Sequence, residues 1–336
     1  MKGANLVYYG RCVRGTMLSM AALHPPHAAS PGGRISRGAQ GAVTLVALLL
    51  MPVWASAQEL EPGAYWPIPT GLNIVTAVNG FNWGDIAFEP AAPIDDANAA
   101  INTTAFAFTR AFGLAGRSAN AGVVVPVVGG HLEGQYLGEA AEANRFGMGD
   151  PRLRLGVNLY GAPAMTPRVF ASYRQGTLVG VSLTVAPPLG QYDSTKLINV
   201  GTHRWSFKPE LGVSHAFGRW VVEGMAGVWV FTDNTEFLGD RTRSQDSVVA
   251  TQIHLTFRFK PNMWLAGDAN YYTGGRTTIG GTRNLDLQRN SRVGATFSSG
   301  LGRSQAIRMS VSRGAYTTIG ADFTSIAGSY SYAWGR

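Results

Sequence analysis

The segment from Ser247 to Lys260, SVVATQIHLTFRFK, alternates in polarity along its length. One parity is mainly apolar and consists of Val249, Thr251, Ile253, Leu255, Phe257 and Phe259. The other parity is mainly polar and consists of Ala250, Gln252, His254, Thr256 and Arg258. A period of two with one apolar face is typical of a β-strand whose two faces meet different surroundings.

The same alternation recurs through the chain, for example in Pro151 to Tyr160, where Leu153 and Leu155 oppose Arg152 and Arg154. Most of the segments approach the roughly 9 to 11 residues that a tilted transmembrane strand needs. The alternation predicts twelve strands, at 72–80, 101–110, 118–127, 151–160, 177–186, 204–216, 219–231, 247–260, 262–273, 290–299, 304–313 and 322–334.

The connections between these segments alternate in length. Short links are expected at 112–117, 217–218, 260–261 and 301–303, and long polar links at 82–100, 128–150, 187–203, 233–246 and 274–289. Short turns at one end and long loops at the other are typical of outer-membrane barrels. The link 161–176 is longer than a turn should be, so it contains either a short helix or a misplaced strand end. Eleven to fourteen strands therefore remain open.

The composition agrees with a barrel that faces lipid. The chain has 336 residues, of which 45% are hydrophobic and only 14% charged. A soluble domain carries about 25% charged residues, and a helical membrane protein shows apolar runs of about 20 residues. The predicted fold class is all-β, a transmembrane antiparallel up-and-down barrel of about twelve strands.

The first 57 residues have the layout of an export signal. Ala42 to Met51 is an apolar run of ten residues that follows Arg34 and Arg37 and precedes the small residues Ala55 to Ala57. This order is typical of a cleaved secretory signal, with a buried core helix as the alternative for the apolar run. We therefore expect residues 1–57 to be removed and 58–336 to form a single outer-membrane barrel domain.

Removal of this leader changes the charge of the chain from +8 to +3, because the leader holds five basic residues and no acidic one. The basic pI is therefore no argument for nucleic-acid binding. The only cysteine, Cys12, leaves with the leader, so thiolate metal sites are excluded from the mature chain. The sequence predicts no cofactor and no metal site. The expected location is the bacterial outer membrane.

Aromatic residues collect near the ends of the predicted strands, where barrels carry interfacial girdles. The odd spacing of Trp220 and Trp229 means that both can face lipid only if a bulge intervenes. Aromatics at the rim of a soluble sandwich are the alternative. The group comprises Trp205, Phe207, Phe217, Trp220, Trp229, Phe231, Trp264, Tyr271, Tyr272, Tyr330, Tyr332 and Trp334.

Two stretches resemble a known family. They are YDSTKLINVGTHRWSFKPELGVSHAFGRWVVEG from Tyr192 and PNMWLAGDANYYTGG from Pro261. Both are similar to the "MetA-pathway of phenol degradation" family of outer-membrane proteins, which are described as transporters, and the resemblance extends over about residues 60–336. It implies a barrel and a link to the uptake of aromatic compounds. It supplies no binding or catalytic residues.

If the apolar parity faces lipid, the opposite parity lines the lumen and supplies its charges. Six bases against three acids predict a weak preference for anions. The alternative is that these side chains pair across strands and close a narrow interior. The candidates for the lumen wall are Arg152, Arg154, Lys208, Glu210, Glu223, His254, Arg258, Asp268, Arg292 and Arg308, with Gln252 and Asn270 beside them.

The sequence thus predicts a channel for the passive uptake of small molecules, aromatic or hydrophobic compounds among them. Its expected partners are outer-membrane lipids and a small-molecule permeant, and both a monomer and a homo-oligomer remain open. One alternative is a filled barrel whose function resides in external loops. A less favoured alternative is an outer-membrane hydrolase, because the four mature histidines lie in no recognisable catalytic motif. An apolar groove from Phe146, Met148, Phe237 and Leu238 is a further expectation.

Overall fold

The computed structural model describes residues 60–87 and 94–335. The expected signal segment, residues 1–57, lies outside these ranges. The strands are β1 (Leu72–Ala87), β2 (Ile94–Leu114), β3 (Arg117–Tyr136), β4 (Glu139–Met148), β5 (Arg152–Tyr160), β6 (Thr177–Ala186), β7 (Ser206–Phe217), β8 (Trp220–Phe231), β9 (Asn234–Phe237), β10 (Arg241–Gln245), β11 (Val248–Lys260), β12 (Met263–Gly274), β13 (Thr277–Ile279), β14 (Thr282–Arg283), β15 (Gln288–Leu301), β16 (Gln305–Tyr316) and β17 (Gly320–Gly335).

Twelve of these strands form one closed antiparallel barrel. Around the barrel their order is β1, β2, β3, β5, β6, β7, β8, β11, β12, β15, β16 and β17, and β17 pairs again with β1. The register of the closing pair runs without interruption from Leu72 opposite Gly335 to Ala87 opposite Gly320. Each of the twelve segments expected from the sequence corresponds to one barrel strand. The prediction of an all-β barrel of about twelve strands is therefore confirmed.

Burial along each strand is inverted relative to a soluble protein. In β11 the polar residues Gln252, His254 and Thr256 are buried, whereas the apolar residues Ile253 and Leu255 are exposed. The same pattern holds in β7, β8 and β12. An outward apolar face of this kind is stable against lipid and unfavourable against water. The apolar parity thus points out of the barrel.

Two of the expected long loops are largely strand. The region 128–150 forms a hairpin in which the upper half of β3 pairs with β4, while the lower half of β3 pairs with β5. Its turn residues Leu137 and Gly138 both have positive φ, as a two-residue hairpin turn requires. The region 82–100 is likewise strand up to Ala87 and again from Ile94. The expectation of loops was wrong here because polar strand extensions that rise out of the membrane lack the apolar alternation.

The barrel has two distinct ends. The short-turn end carries the links of β7–β8, β11–β12 and β15–β16, and the long-loop end carries residues 187–205 and a small sheet of β9, β10, β13 and β14. The irregular link 161–176 holds the short helix α1 (Pro167–Phe170), which resolves the exception in the sequence pattern. Within the described ranges, no helix has the length and apolar character needed to cross a membrane.

Candidate permeation path

One side of the lumen is densely filled with paired charges. On β7, the Lys208 ammonium lies 3.2 Å from a Glu210 carboxylate oxygen, and both side chains are almost fully buried. On β11, the Nδ1 atom of His254 lies 2.7 Å from Asp268 of β12. The second oxygen of Asp268 accepts a hydrogen bond from Thr296 of β15. We name the inward faces of β5–β8, β11, β12, β15 and β16 the charged wall.

All ten candidate lumen residues lie on the inward parity of the charged wall. Lys208, Glu210, Glu223, His254, Asp268 and Arg292 are buried. Arg152, Arg154 and Arg258 are partly exposed, and Arg308 is exposed. Arg292 extends from β15 across β16 and donates hydrogen bonds to Ser312, to Ser325 and to the Phe323 carbonyl. Whether these charges select ions stays a prediction, since several of them are engaged in contacts within the wall.

A segment before the first strand, Leu60–Gly71, lies inside the barrel against the charged wall. The Glu61 amide donates a hydrogen bond of 3.0 Å to the Gln252 side chain, and the Gly63 amide donates one of 3.0 Å to Glu223. At the short-turn end, the Thr70 amide donates to the carbonyl of Met165. We name residues 60–71 the inner segment. Its backbone amides donate hydrogen bonds to polar side chains of the wall that would otherwise face the lumen.

Tyr65 is the most firmly held residue of the inner segment. Its hydroxyl lies 3.1 Å from a Glu210 carboxylate oxygen and 3.0 Å from the Ser182 hydroxyl. Burial, aided by the negative charge of Glu210, raises the pKa of Tyr65 to about 12. The phenol is therefore a neutral hydrogen-bond donor throughout the physiological range.

Two glycines on adjacent strands make room for the Tyr65 ring. Gly180 of β6 and Gly212 of β7 are register partners on the inward face. A Cβ at either position would overlap the ring of Tyr65. The Arg154 guanidinium lies 5.2 Å from the centre of the same ring. The wall is therefore shaped to receive this side chain.

Trp66 extends the contact toward the short-turn end. Its ring meets Trp264 edge to face at 5.5 Å, and the Arg258 guanidinium lies 4.4 Å from its centre. Tyr65 and Trp66 do not stand out as lumen residues in the sequence, because the inner segment has no strand periodicity. One sequence signal does point to this contact. Gly180 and Gly212 are both on the inward parity of their strands, and two facing glycines leave space for another part of the chain.

The opposite side of the lumen is uncharged. The inward positions of β17, β1, β2 and β3, which lie within 321–333, 74–86, 99–111 and 118–132, include no Asp, Glu, Lys or Arg. We name this surface the uncharged wall. Its central residues are mostly small and are partly exposed to the lumen, unlike the buried inward residues of β11. They include Thr76, Val78, Ala105, Ala107, Ala327 and Ser329.

The loop between β6 and β7 folds inward over the long-loop end of the uncharged wall. Its residues Ile198 and Val200 pack with a buried apolar cluster formed by Ile86, Ala99, Ile101, Val128, Leu132, Ala321 and Phe323. Asp150 holds both ends of this loop, because its carboxylate accepts hydrogen bonds from the Gly190 amide and from the amide and hydroxyl of Thr202. The loop therefore covers one end of the path along the uncharged wall.

The apolar groove expected from Phe146, Met148, Phe237 and Leu238 is not formed by these residues. Phe146 projects outward from β4 with 80% of its surface exposed, whereas Phe237 is buried beside Arg243. The inward apolar surface at this end is the cluster around Val200. Loop residues were misjudged because their partners lie on distant strands.

The aromatic residues divide between the two faces. Trp220, Phe217, Tyr330, Tyr332 and Trp334 are exposed on the outside, in agreement with girdles at the membrane boundaries. Trp229, Trp264 and Tyr272 are buried inside, and Phe231 packs against the inward cluster around Trp229, so these four are corrections to the girdle. The spacing argument for Trp220 and Trp229 holds, since Trp229 faces inward and Trp220 outward.

The four histidines of the expected mature chain occupy separate environments. His131 bonds Asn144, and His215 bonds Thr177 on the outer face. His203 stacks on Tyr192 at 4.6 Å and lies 3.4 Å from Glu236. His254 alone is buried in the barrel beside a carboxylate. Over the described ranges, no group of three or more potential ligands is arranged to hold a metal ion.

Solved structures that resemble this chain include bacterial outer-membrane proteins. The COG4313 outer membrane channel from Pseudomonas putida F1 superposes with a TM-score of 0.68 at 18% identity, covering 82% of this chain and 100% of that one. The transport unit of the autotransporter AIDA-I from Escherichia coli gives 0.49 at 8% identity, covering 83% and 95%. The CymD monoaromatic hydrocarbon channel gives 0.42 at 12% identity, covering 89% and 96%.

The first of these similarities supports the barrel fold. A comparison with curated protein sequences gives no match. The family described as "Putative MetA-pathway of phenol degradation" matches residues 84–318, which is more than half of the sequence. The sequence resemblance, the closed barrel and this match agree, and the chain belongs to that family.

Proposed function

We propose that this protein is an outer-membrane channel for the passive uptake of small uncharged molecules, aromatic compounds among them. The observation that carries the proposal is the asymmetry of the lumen. One wall is filled by paired charges and by the inner segment, while the uncharged wall keeps small side chains partly exposed to the lumen. Uncharged solutes cross such a surface at little electrostatic cost, whereas an ion must leave water beside it without a compensating charge.

The family and fold add support for the class of molecule and the location. The family is named for a pathway of phenol degradation. The apolar outer face and its aromatic boundaries suit a bilayer, and a secretory signal in residues 1–57 would direct export. Outer-membrane lipids are then the surrounding partner, and the oligomeric state is left open.

The test measures entry of 4-nitrophenyl acetate into cells that lack their own porins and carry a periplasmic esterase. The full chain is expressed, and the release of nitrophenol reports entry of the ester. We expect Ala107→Phe to slow entry strongly, because Ala107 faces inward beside Thr76 and Val124. The matched control is Ala77→Phe, which adds the same ring on the lipid side of β1, where Ala77 pairs with the exposed Phe106.

A filled, structural barrel is the second candidate function. It is favoured by the inner segment and by the inward loop 187–205, which occupy parts of the lumen. In that case cells with the protein, cells with Ala107→Phe and cells without the protein take up the ester at the same rate. Such equality in folded protein would overturn the channel proposal.

A further inference from the structure

The inner segment binds several polar side chains of the charged wall. Its amides and the Tyr65 hydroxyl bind Glu223, Gln252 and Glu210, which are polar groups of the charged wall. These contacts lie on three different strands, β7, β8 and β11, so the segment covers a broad part of that wall. The uncharged wall keeps its small inward side chains partly exposed, and on the charged wall exposure is retained by arginines, chiefly Arg308.

We propose that residues 60–71 are the specificity-determining element of the channel and that Tyr65 is its anchor. The proposal rests on the function proposed above. The segment excludes ions by occupying the side of the lumen where charged side chains would otherwise support them. It acts as a fixed part of the wall, because the niche formed by Gly180 and Gly212 fits the Tyr65 ring and the hydroxyl is bonded at its far end.

The net charge of the charged wall sets the ion preference that we expect when the inner segment is lost. The inward side chains of the charged wall comprise six bases and three acids, so a lumen without the inner segment would favour anions. With the segment in place, Tyr65 covers Glu210 and lies beside Arg154, and Trp66 covers Arg258. The protein should therefore conduct ions weakly, whereas loss of the anchor should produce a larger, anion-preferring conductance.

The test is conductance of the protein, purified from outer membranes, in planar bilayers under a salt gradient. We expect Tyr65→Ala to raise ion conductance several-fold and to give a reversal potential on the anion side. Gly212→Ala should act in the same direction, because its methyl group overlaps the Tyr65 ring. Tyr65→Phe should stay nearer the wild type, because the ring still fills the niche.

The matched control is Gly267→Ala. Gly267 lies on the outward parity of β12, and a Cβ there meets no atom within 4 Å. This variant should conduct like the wild type. If Gly212→Ala fails to fold, Tyr65→Ala decides, since removing a side chain of the inner segment leaves every barrel strand intact.

Ester entry separates the two proposals. If wild-type cells take up the ester through the uncharged wall but folded Tyr65→Ala protein conducts ions no better than the wild type, the role of the inner segment is wrong and the channel stands. If the ester does not enter through the wild type, the proposed function fails. A conductance increase in Tyr65→Ala would then still show that the inner segment blocks ions. A cation preference in Tyr65→Ala would overturn the charge argument.

Discussion

The two walls of the lumen are built from the same kind of strand and differ in how their inward side chains are satisfied. On the charged wall, buried charged and polar groups need partners, so Lys208 is held against Glu210 and His254 against Asp268. On the uncharged wall, inward Thr, Ser and Ala side chains are small and partly exposed, and they need little beyond a neighbour such as the Thr76–Ser331 hydrogen bond. Paired buried groups and partly exposed small side chains therefore lie on opposite sides of one lumen.

The largest effect is expected when a buried pair on the charged wall is broken. Lys208→Met removes the charged partner of Glu210, and a buried charge left without its counter-charge costs roughly 3–5 kcal/mol. The urea concentration at the midpoint of unfolding should fall accordingly. It is measured by tryptophan fluorescence on the protein in lipid vesicles. The double variant Lys208→Met with Glu210→Gln should recover most of the loss. If it is as unstable as the single variant, the pair is not what stabilises this wall.

A smaller effect is expected where the inward loop is fastened over the uncharged wall. Asp150→Ala removes hydrogen bonds to Gly190 and Thr202 and leaves their amides without this acceptor, at a cost of about 1–3 kcal/mol. Tryptic cleavage after Lys196, within the loop, should accelerate. Asp240→Ala, at an exposed position, is the control and should leave the cleavage rate unchanged. Equal rates in all three proteins would show that Asp150 does not hold the loop.

Alkaline pH should loosen the inner segment from the charged wall. The pKa of Tyr65 is raised from 10.0 to about 12, so the folded state favours the protonated phenol. Its stabilising contribution is complete below about pH 10 and is lost as the pH rises toward 12. Ion conductance should therefore rise over this interval and return when the pH is lowered. Tyr65→Phe, which cannot ionise there, should lack this step; a step that persists in Tyr65→Phe would assign it to another group.

The smallest effect is expected on the uncharged wall itself. Thr76→Val removes the 2.8 Å hydrogen bond to Ser331 while keeping the shape of the side chain. A single neutral hydrogen bond contributes about 0.5–1.5 kcal/mol, and partial exposure should keep the loss near the lower limit. Urea unfolding under the same conditions as for Lys208→Met gives the direct comparison. A loss as large as that of Lys208→Met would remove the distinction between the two walls.

Strand number and facing direction could be predicted because each barrel strand carries its own signal. Alternation in Ser247 to Lys260 places His254 inside and Ile253 outside without knowledge of any other strand. Trp264 was misassigned to the girdle because position near a strand end was given more weight than parity. Within a barrel, parity decides the face, since successive side chains must point to opposite sides.

Periodicity did not predict the partners of Lys208, Glu210 and Glu223, for which pairing across neighbouring strands was one expectation. Lys208 does pair with Glu210, but along β7 rather than across strands, and Glu223 accepts a hydrogen bond from the Gly63 amide. Sequence periodicity identifies the inward face and leaves the partner undetermined. The partner of Glu223 comes from a segment 160 residues away in the chain.

A local period of two and short motifs were enough to predict a barrel of about twelve strands, its lipid-facing parity and its family resemblance. Only the tertiary structure decided that residues 60–71 lie inside the lumen and that Ile198 and Val200 cross to the opposite wall. Both arrangements depend on the shape left between distant strands, such as the space over Gly180 and Gly212. Chain segments without periodicity are positioned by that shape and by the hydrogen bonds it allows. Because both depend on distant strands, they cannot be predicted from the sequence of the segment alone.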